Sequence, residues 1–383
     1  MKEDMKARSH KFRILHAPIT SANQPCMQVD ALRRMGHTAD FISWNFEPIH
    51  KLLITGCDVE LQLYDDPSAT HTKLFDFVRH ALRNYDIIHF HSIGTLVTGD
   101  LLPKFSDLAW LKRQGKKIVM HWWGTDRRLR SLTSRRKYSP CPQCSPARVK
   151  SCTRPGRLGE IAKVEKYADV ILSNGDLCID FPQIRWFNNA IDTDMWCPLP
   201  YHDIPARFRL PPTDSLRIYH SVINSATRSG IKGTDVIVDA VQKLRAEGYA
   251  LEFIFFDKMP NKDLRYYQMQ ADVAIEDLRY GWYGSTSMEC MACGTPTICY
   301  LREDIQAIAP VRPPILNATV DSIYGVLKQV CDDAQLRQDL SRRSRAYALK
   351  YHALPVVGAE LENIYTGLFQ TSSPRSGGLG VLP

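Results

Sequence analysis

The chain predicts an α/β protein of two Rossmann-like, doubly wound domains facing a central cleft, and three observations carry that expectation. Strand-like and helix-like runs alternate over two stretches, so each helix becomes the crossover that returns the chain for a parallel strand. A proline-rich break, "PLPYHDIPARFRLPPTDS" from Pro198, separates the two stretches and reads as a linker. The length of 383 residues suits two domains better than one. With 44% hydrophobic and 23% charged residues, wholesale disorder, a coiled coil and a collagen-like fibre are excluded. No apolar run approaches the roughly 18 to 20 residues of a membrane helix, and the first thirteen residues are charged. Neither a spanning segment nor a signal peptide is expected, which predicts a cytoplasmic location.

In the first stretch, "FRILHAPI" from Phe12 is a strand, and "CMQVDALRRMGH" from Cys26 is a helix stopped at Gly36. "ADFISW" from Ala39 is extended, and a helix follows near Lys73–Asn84. The strand "DIIHFHS" from Asp86, a helix near Asp107–Gln114 and the strand "KKIVMHWW" from Lys116 continue the alternation. "EIAKVEKYAD" is helical, and "VILSN" and "IRWFNNAI" are extended. After the break, "LRIYHSVI" from Leu216 begins a second sheet. The helix from Asp235 places Ile237, Ala240, Val241 and Leu244 on one apolar stripe. "LEFIFF", "DVAI" and "TPTICYL" supply further strands, and a last helix starts at Pro355. The expected division is 1–205 for an acceptor-binding domain and 206–345 for a donor-binding domain. Residues 346–369 form a helix returning toward the first domain, and 370–383 a flexible tail.

The net charge of +8 is concentrated: ten Lys and Arg, with no Asp or Glu, lie between Arg127 and Arg157. That segment suggests a local anionic partner on a near-neutral body. The eleven cysteines are odd in number and scattered, which argues against a disulfide framework. Cys141, Cys144 and Cys152 have zinc-like spacing but lack a fourth ligand for a closed tetrahedral site. His89 and His91 share one face of a strand with no carboxylate spaced to complete a ligand set. No cofactor is therefore expected, with a structural zinc on the three cysteines as the alternative. Trp122, Trp123, Trp186 and Trp196 default to core roles.

The most informative run is "GWYGSTSMECMACGTPTI", Gly281 to Ile298. Glycines break the backbone after a strand, and Ser285 to Ala292 then form a helix whose unpaired N–H groups offer an anion site. Glu289 lies about one turn inside it, and its carboxylate suits a ribose diol.

This run resembles the donor segment of family-4 retaining glycosyltransferases of the GT-B fold, whose pattern is Glu, seven residues, Glu, then Ala-Met-Ala-x-Gly-x-Pro. Glu289 stands for the second glutamate, and Met291, Ala292, Gly294 and Pro296 fit the rest. Gly281 stands where the first glutamate belongs, with Glu276 and Asp277 just upstream as substitutes. "KIVMHWWGTDRR", "NNAIDTDMW" and "RSGIKGTDVIVDAV" are similar to further segments of that family, and the likeness runs over roughly residues 12–369. The resemblance implies catalytic roles for His121, Lys232 and Glu289. It implies donor binding by Arg228, Lys232, Gly284, Ser285, Thr286, Glu289 and Glu276. His91, Asp126 and Arg127 are the expected acceptor residues.

The function expected is retaining transfer of a sugar from a nucleotide-sugar donor to a sugar, lipid-linked or other anionic acceptor, without metal. Lys, Arg and a helix N-terminus can stabilise the departing diphosphate. Peripheral contact with an anionic membrane is expected from the basic segment. The alternatives are a nucleotide-sugar epimerase, an inactive sugar-binding relative, and a nucleic-acid-binding module. The last is disfavoured because the basic residues lack regularly interleaved aromatics.

Overall fold

The structure, a computed structural model, describes residues 10–44, 59–61, 67–97 and 103–370. All of the expected tail except Gln370 lies outside the described residues. The first sheet comprises β1 (Arg13–Pro18), β2 (Thr38–Trp44), β3 (Val59–Leu61), β4 (Ile87–His91), β5 (Lys117–His121), β6 (Val170–Ser173) and β7 (Arg185–Trp186). Its strands are parallel in the order β3-β2-β1-β4-β5-β6-β7. The accompanying helices are α1 (Gln24–Arg34), α2 (Pro67–Asn84), α3 (Ser106–Arg113), α4 (Arg130–Thr133), α5 (Pro146–Cys152), α6 (Arg157–Tyr167) and α7 (Asp176–Asp180).

The second sheet holds β8 (Leu216–Val222), β9 (Leu251–Asp257), β10 (Val273–Ile275), β11 (Thr297–Cys299) and β12 (Leu316–Asn317), ordered β12-β11-β10-β8-β9. Its helices are α8 (Ser225–Lys232), α9 (Thr234–Ala246), α10 (Asn261–Gln268), α11 (Ser285–Ala292), α12 (Glu303–Ile308), α13 (Ile323–Asp332), α14 (Ala334–Tyr351) and α15 (Leu354–Gln370). The fold is therefore two parallel α/β sheets with helices, as the alternation predicts. The stripe of α9 is buried at Ile237, Ala240, Val241 and Leu244.

Both strand orders reverse direction once, between β1 and β4 and between β8 and β10. The crevice outside the carboxyl ends at such a switch point is where open α/β sheets bind ligands. The loops after β1, β4 and β10 all reach one cleft of about 880 Å³ between the sheets.

The last helix crosses back to the first sheet. Ile191 donates its N–H to the His352 carbonyl at 2.8 Å, just before α15 begins. Gly358 of α15 then lies against α1, where an added Cβ would come within 3.2 Å of the Ala31 Cβ. Only a residue without a side chain permits that approach.

Candidate functional site

The second-domain wall of the cleft is built on α8 and the strand end of β10. Arg228 and Lys232 stand four residues apart on α8, so they project from one face into the cleft. Residues 225–232 form a helix of their own ahead of α9, ended by Gly233 at φ +83°. Among the described residues, neither cation has a carboxylate within 4 Å.

Glu276 and Asp277 follow β10 and also line the cleft. The Glu276 carboxylate accepts the Gly284 N–H at 2.8 Å and the Ser287 N–H at 3.2 Å, capping α11. The sequence assigned that helix end to a ligand anion, yet this carboxylate fills part of it. Asp277 accepts the N–H groups of Arg279 and Tyr280, both at 2.8 Å, and burial raises its pKa to about 6.

Gly284 and Ser285 line the cleft as expected, while Thr286 does not. Glu289 requires a correction. It is 4% exposed beneath the wall, and its two oxygens accept the side-chain amides of Asn261 at 2.8 Å and Gln268 at 2.9 Å. Burial pushes its pKa up to about 7. One turn into a helix whose face packs on the core, the side chain is held by these two amides and does not line the cleft.

Gly281 explains the departure from the family pattern. Its φ is +90°, and a Cβ there would sit 2.4 Å from Arg302 Cδ. The Arg302 N–H also bonds to the Gly281 carbonyl at 2.9 Å, so the loop closes where a glutamate would need room.

On the first-domain side the structure corrects three expectations. His121 and His91 are fully buried and do not line the cleft; Trp123 does. The Trp123 indole covers the His121 ring at 3.9 Å between centroids. Arg127 is 6% exposed, pairs with Glu165 at 2.6 Å, stacks 3.4 Å over Phe181 and does not line the cleft. Asp126 does line the cleft, but its carboxylate accepts the Trp123 N–H at 3.0 Å. Burial raises its pKa.

Behind Trp123 lies a histidine cluster. His16 is in register with His89, and His91 with His121, so four rings from three neighbouring strands share one face. Burial holds His16 near 3 and the other three well below their ordinary value, so all are neutral. An indole N–H only donates, so Trp123 at 3.2 Å makes His91 Nδ1 an acceptor. His91 then donates from Nε2 to His16 Nδ1 at 2.9 Å. His16 donates from Nε2 to the Tyr365 hydroxyl at 3.4 Å, and that hydroxyl donates to His89 Nδ1 at 2.8 Å. His89 Nε2 and both nitrogens of His121 have no hydrogen-bond partner among the described residues. Ligand nitrogens of His16, His89 and His91 lie within 4.8 Å of one another, the one such three-ligand grouping among the described residues. Cys141, Cys144 and Cys152 are free thiols that do not converge this way.

About half of the basic segment's charges are paired. Arg128 and Arg136 bracket Asp176 at 2.6 and 2.7 Å, and Arg136 also reaches Asp180 at 2.6 Å. Burial alone would push Asp176 up, but the two guanidiniums bring it down to about 2. Arg154 pairs with Glu160, and Arg157 donates to the carbonyls of Thr125, Asp126 and Arg128. These partners lie outside or across the segment, so its local count overstates the free charge. Trp123 and Arg148 are among the cleft residues that sequence reasoning missed. The first was hidden by the core default for tryptophan, the second among ten similar charges.

No protein-family model and no curated protein matches the chain. Solved structures do. The chain is similar to sucrose-phosphate synthase from Thermosynechococcus elongatus at TM-score 0.63 and 16% identity, covering 94% of this chain and 100% of that one. It is similar to Anabaena HepE in complex with UDP and glucose at TM-score 0.59 and 12% identity, over 93% and 99%. A UDP-N-acetylglucosamine 2-epimerase structure from Listeria monocytogenes matches at TM-score 0.56 and 11% identity, over 95% and 98%. The shared architecture is the GT-B fold.

Proposed function

We propose that the protein is a retaining, metal-independent glycosyltransferase of carbohydrate biosynthesis, related to family 4. It moves a sugar from a nucleotide-sugar donor to an acceptor held by the first domain. The observation that carries the reading is the pair Arg228 and Lys232, one turn apart, facing the cleft without a carboxylate partner among the described residues.

A nucleotide sugar leaves a diphosphate whose negative charge grows as the glycosidic bond breaks. Two fixed cations stabilise that charge most when it is greatest, which lowers the barrier. Glu276, at the cleft end of β10, takes the sugar hydroxyls in place of the absent glutamate at 281. A front-face transfer needs no enzyme nucleophile. Trp123 and Asp126 form the wall where the acceptor rests. The acceptor is a sugar, lipid-linked or otherwise anionic. Work in the cytoplasm fits a chain in which, among the described residues, no helix is long and apolar enough to cross a membrane.

The test is a panel of nucleotide sugars, UDP-sugars first because the HepE structure holds UDP. A ligand at a hundred times its dissociation constant adds about 2.7 kcal/mol to stability, which a melting curve registers. Stabilising donors are then assayed for transfer to sugar and lipid-linked acceptors, with and without chelator. The epimerase reading draws on the Listeria structure. Conversion of UDP-N-acetylglucosamine to its 2-epimer without acceptor would favour it over transfer.

A further inference from the structure

Part of the basic segment reaches across the cleft. The Tyr138 hydroxyl donates to Asp321 at 2.7 Å, and its ring meets Tyr300 edge-on at 5.3 Å. Gln143 packs on α8 so closely that a Cβ added to Gly230 would lie 2.9 Å from its Oε1. Helix α5 follows at once. Its first turn is held by Ser145, whose hydroxyl accepts the Arg148 N–H at 3.4 Å.

Arg148 therefore lines the same cleft as Arg228 and Lys232, from the opposite domain. Like them, it has no carboxylate within 4 Å among the described residues. Arg228 is half-buried, and its pKa is lowered by desolvation and by Arg148 as a like-charged neighbour. Tyr280 lies against Arg228, Arg148 and a further arginine, its ring under Arg128 at 4.8 Å and its hydroxyl influenced by Arg228 and Arg148. Gathering like charges at a part-buried place is unfavourable until an anion joins them. A single phosphate would find two cations on α8. A diphosphate is long enough to meet a third across the gap.

We propose that Arg148 is a ligand of the donor diphosphate, so that the bound diphosphate is held by Arg228 and Lys232 from one domain and by Arg148 from the other. The proposal rests on the nucleotide-sugar reading and adds to it a residue that only the folded chain brings to the site. It also explains why the segment crosses at all, since the diphosphate that enters the cleft fastens the segment over it.

The experiment is calorimetry on the full chain. Wild type is first titrated with UDP, ADP and GDP to find the base it accepts. Wild type, Arg148→Gln and Arg148→Lys are then titrated with that diphosphate, its monophosphate and its nucleoside, at matched thermal stability. Loss of one charge-assisted contact predicts about ten- to hundredfold weaker diphosphate binding in Arg148→Gln. The expected loss is smaller for the monophosphate and absent for the nucleoside, with Arg148→Lys between wild type and Gln. Equal diphosphate affinity in wild type and Arg148→Gln overturns the role of Arg148 and leaves the functional reading standing. So does an equal loss for diphosphate and nucleoside, since that reports damage to the fold. A wild type that binds none of the three diphosphates overturns the functional reading and this inference together.

Discussion

The Tyr365 hydroxyl, on the last helix, lies 2.8 Å from Nδ1 of His89 and 3.4 Å from Nε2 of His16 in the first sheet. One phenol thus joins the end of the chain to two strands near its start. Tyr365→Phe keeps the ring and removes the bridge, leaving two buried imidazole nitrogens without partners. The expected cost is about 1–3 kcal/mol, read by urea unfolding. An unchanged midpoint would show that the relay behind Trp123 contributes nothing.

Acid should unfold the protein early. His16 and His220 are held near 3 and His352 near 4 by burial, and His89, His91 and His121 are also well below the unfolded value of about 6.5. Below pH 6.5 the unfolded chain takes up protons on these six groups that the folded chain refuses, so stability falls with pH. Glu289 near 7 and Asp107 and Asp277 near 6 act the other way, because the folded state keeps their protons. Six histidines outnumber the three carboxyls, so between pH 6 and 5 the unfolded chain binds more of these protons than the folded chain and stability falls with pH. Stability flat between pH 7 and 5 would contradict neutral buried histidines.

Restoring the family glutamate should harm the protein. At Gly281→Glu the positive φ costs about 1–3 kcal/mol, and Arg302 must move in addition. Thermal unfolding should fall and activity with it. A stable variant with improved donor affinity would mean that the loop adopts another conformation.

Lys232→Ala should lower kcat about a hundredfold and raise the donor KM far less, since charge on the leaving diphosphate peaks in the transition state. Steady-state kinetics with the donor found above separate the two. A pure KM effect would assign Lys232 to ground-state binding alone.

Arg136→Ser tests what the basic segment is for. Arg136 is 16% exposed and holds Asp176 and Asp180, so its removal should cost about 3 kcal/mol of stability. Arg135, Lys137 and Lys150 are exposed, Lys137 with a long 3.9 Å contact to Asp321, and are the charges that can meet an anionic surface. Serine at those three should leave folding intact and weaken flotation with anionic vesicles at low salt. Flotation that ignores lipid charge in both proteins would overturn the membrane contact expected from the basic segment.

The sequence by itself determined the two parallel sheets and the helix at 285–292, which follow from period and turn residues, all local along the chain. The cation pair at 228 and 232 was legible only through the family resemblance, because the helix that sets both on one face appears only in the fold. Which polar groups remain free to act was decided only by tertiary structure. Arg136 meets Asp180 from 44 residues away, and Glu289 meets Asn261 from 28, while the Glu276 carboxylate folds back on Gly284. His121 looked like a site residue because it ends a strand at the cleft, yet Trp123 two positions on lies over it and takes the surface. A charge or a ring is available to a ligand only when no nearer partner claims it, and those partners are brought together by crossovers that no window of sequence contains.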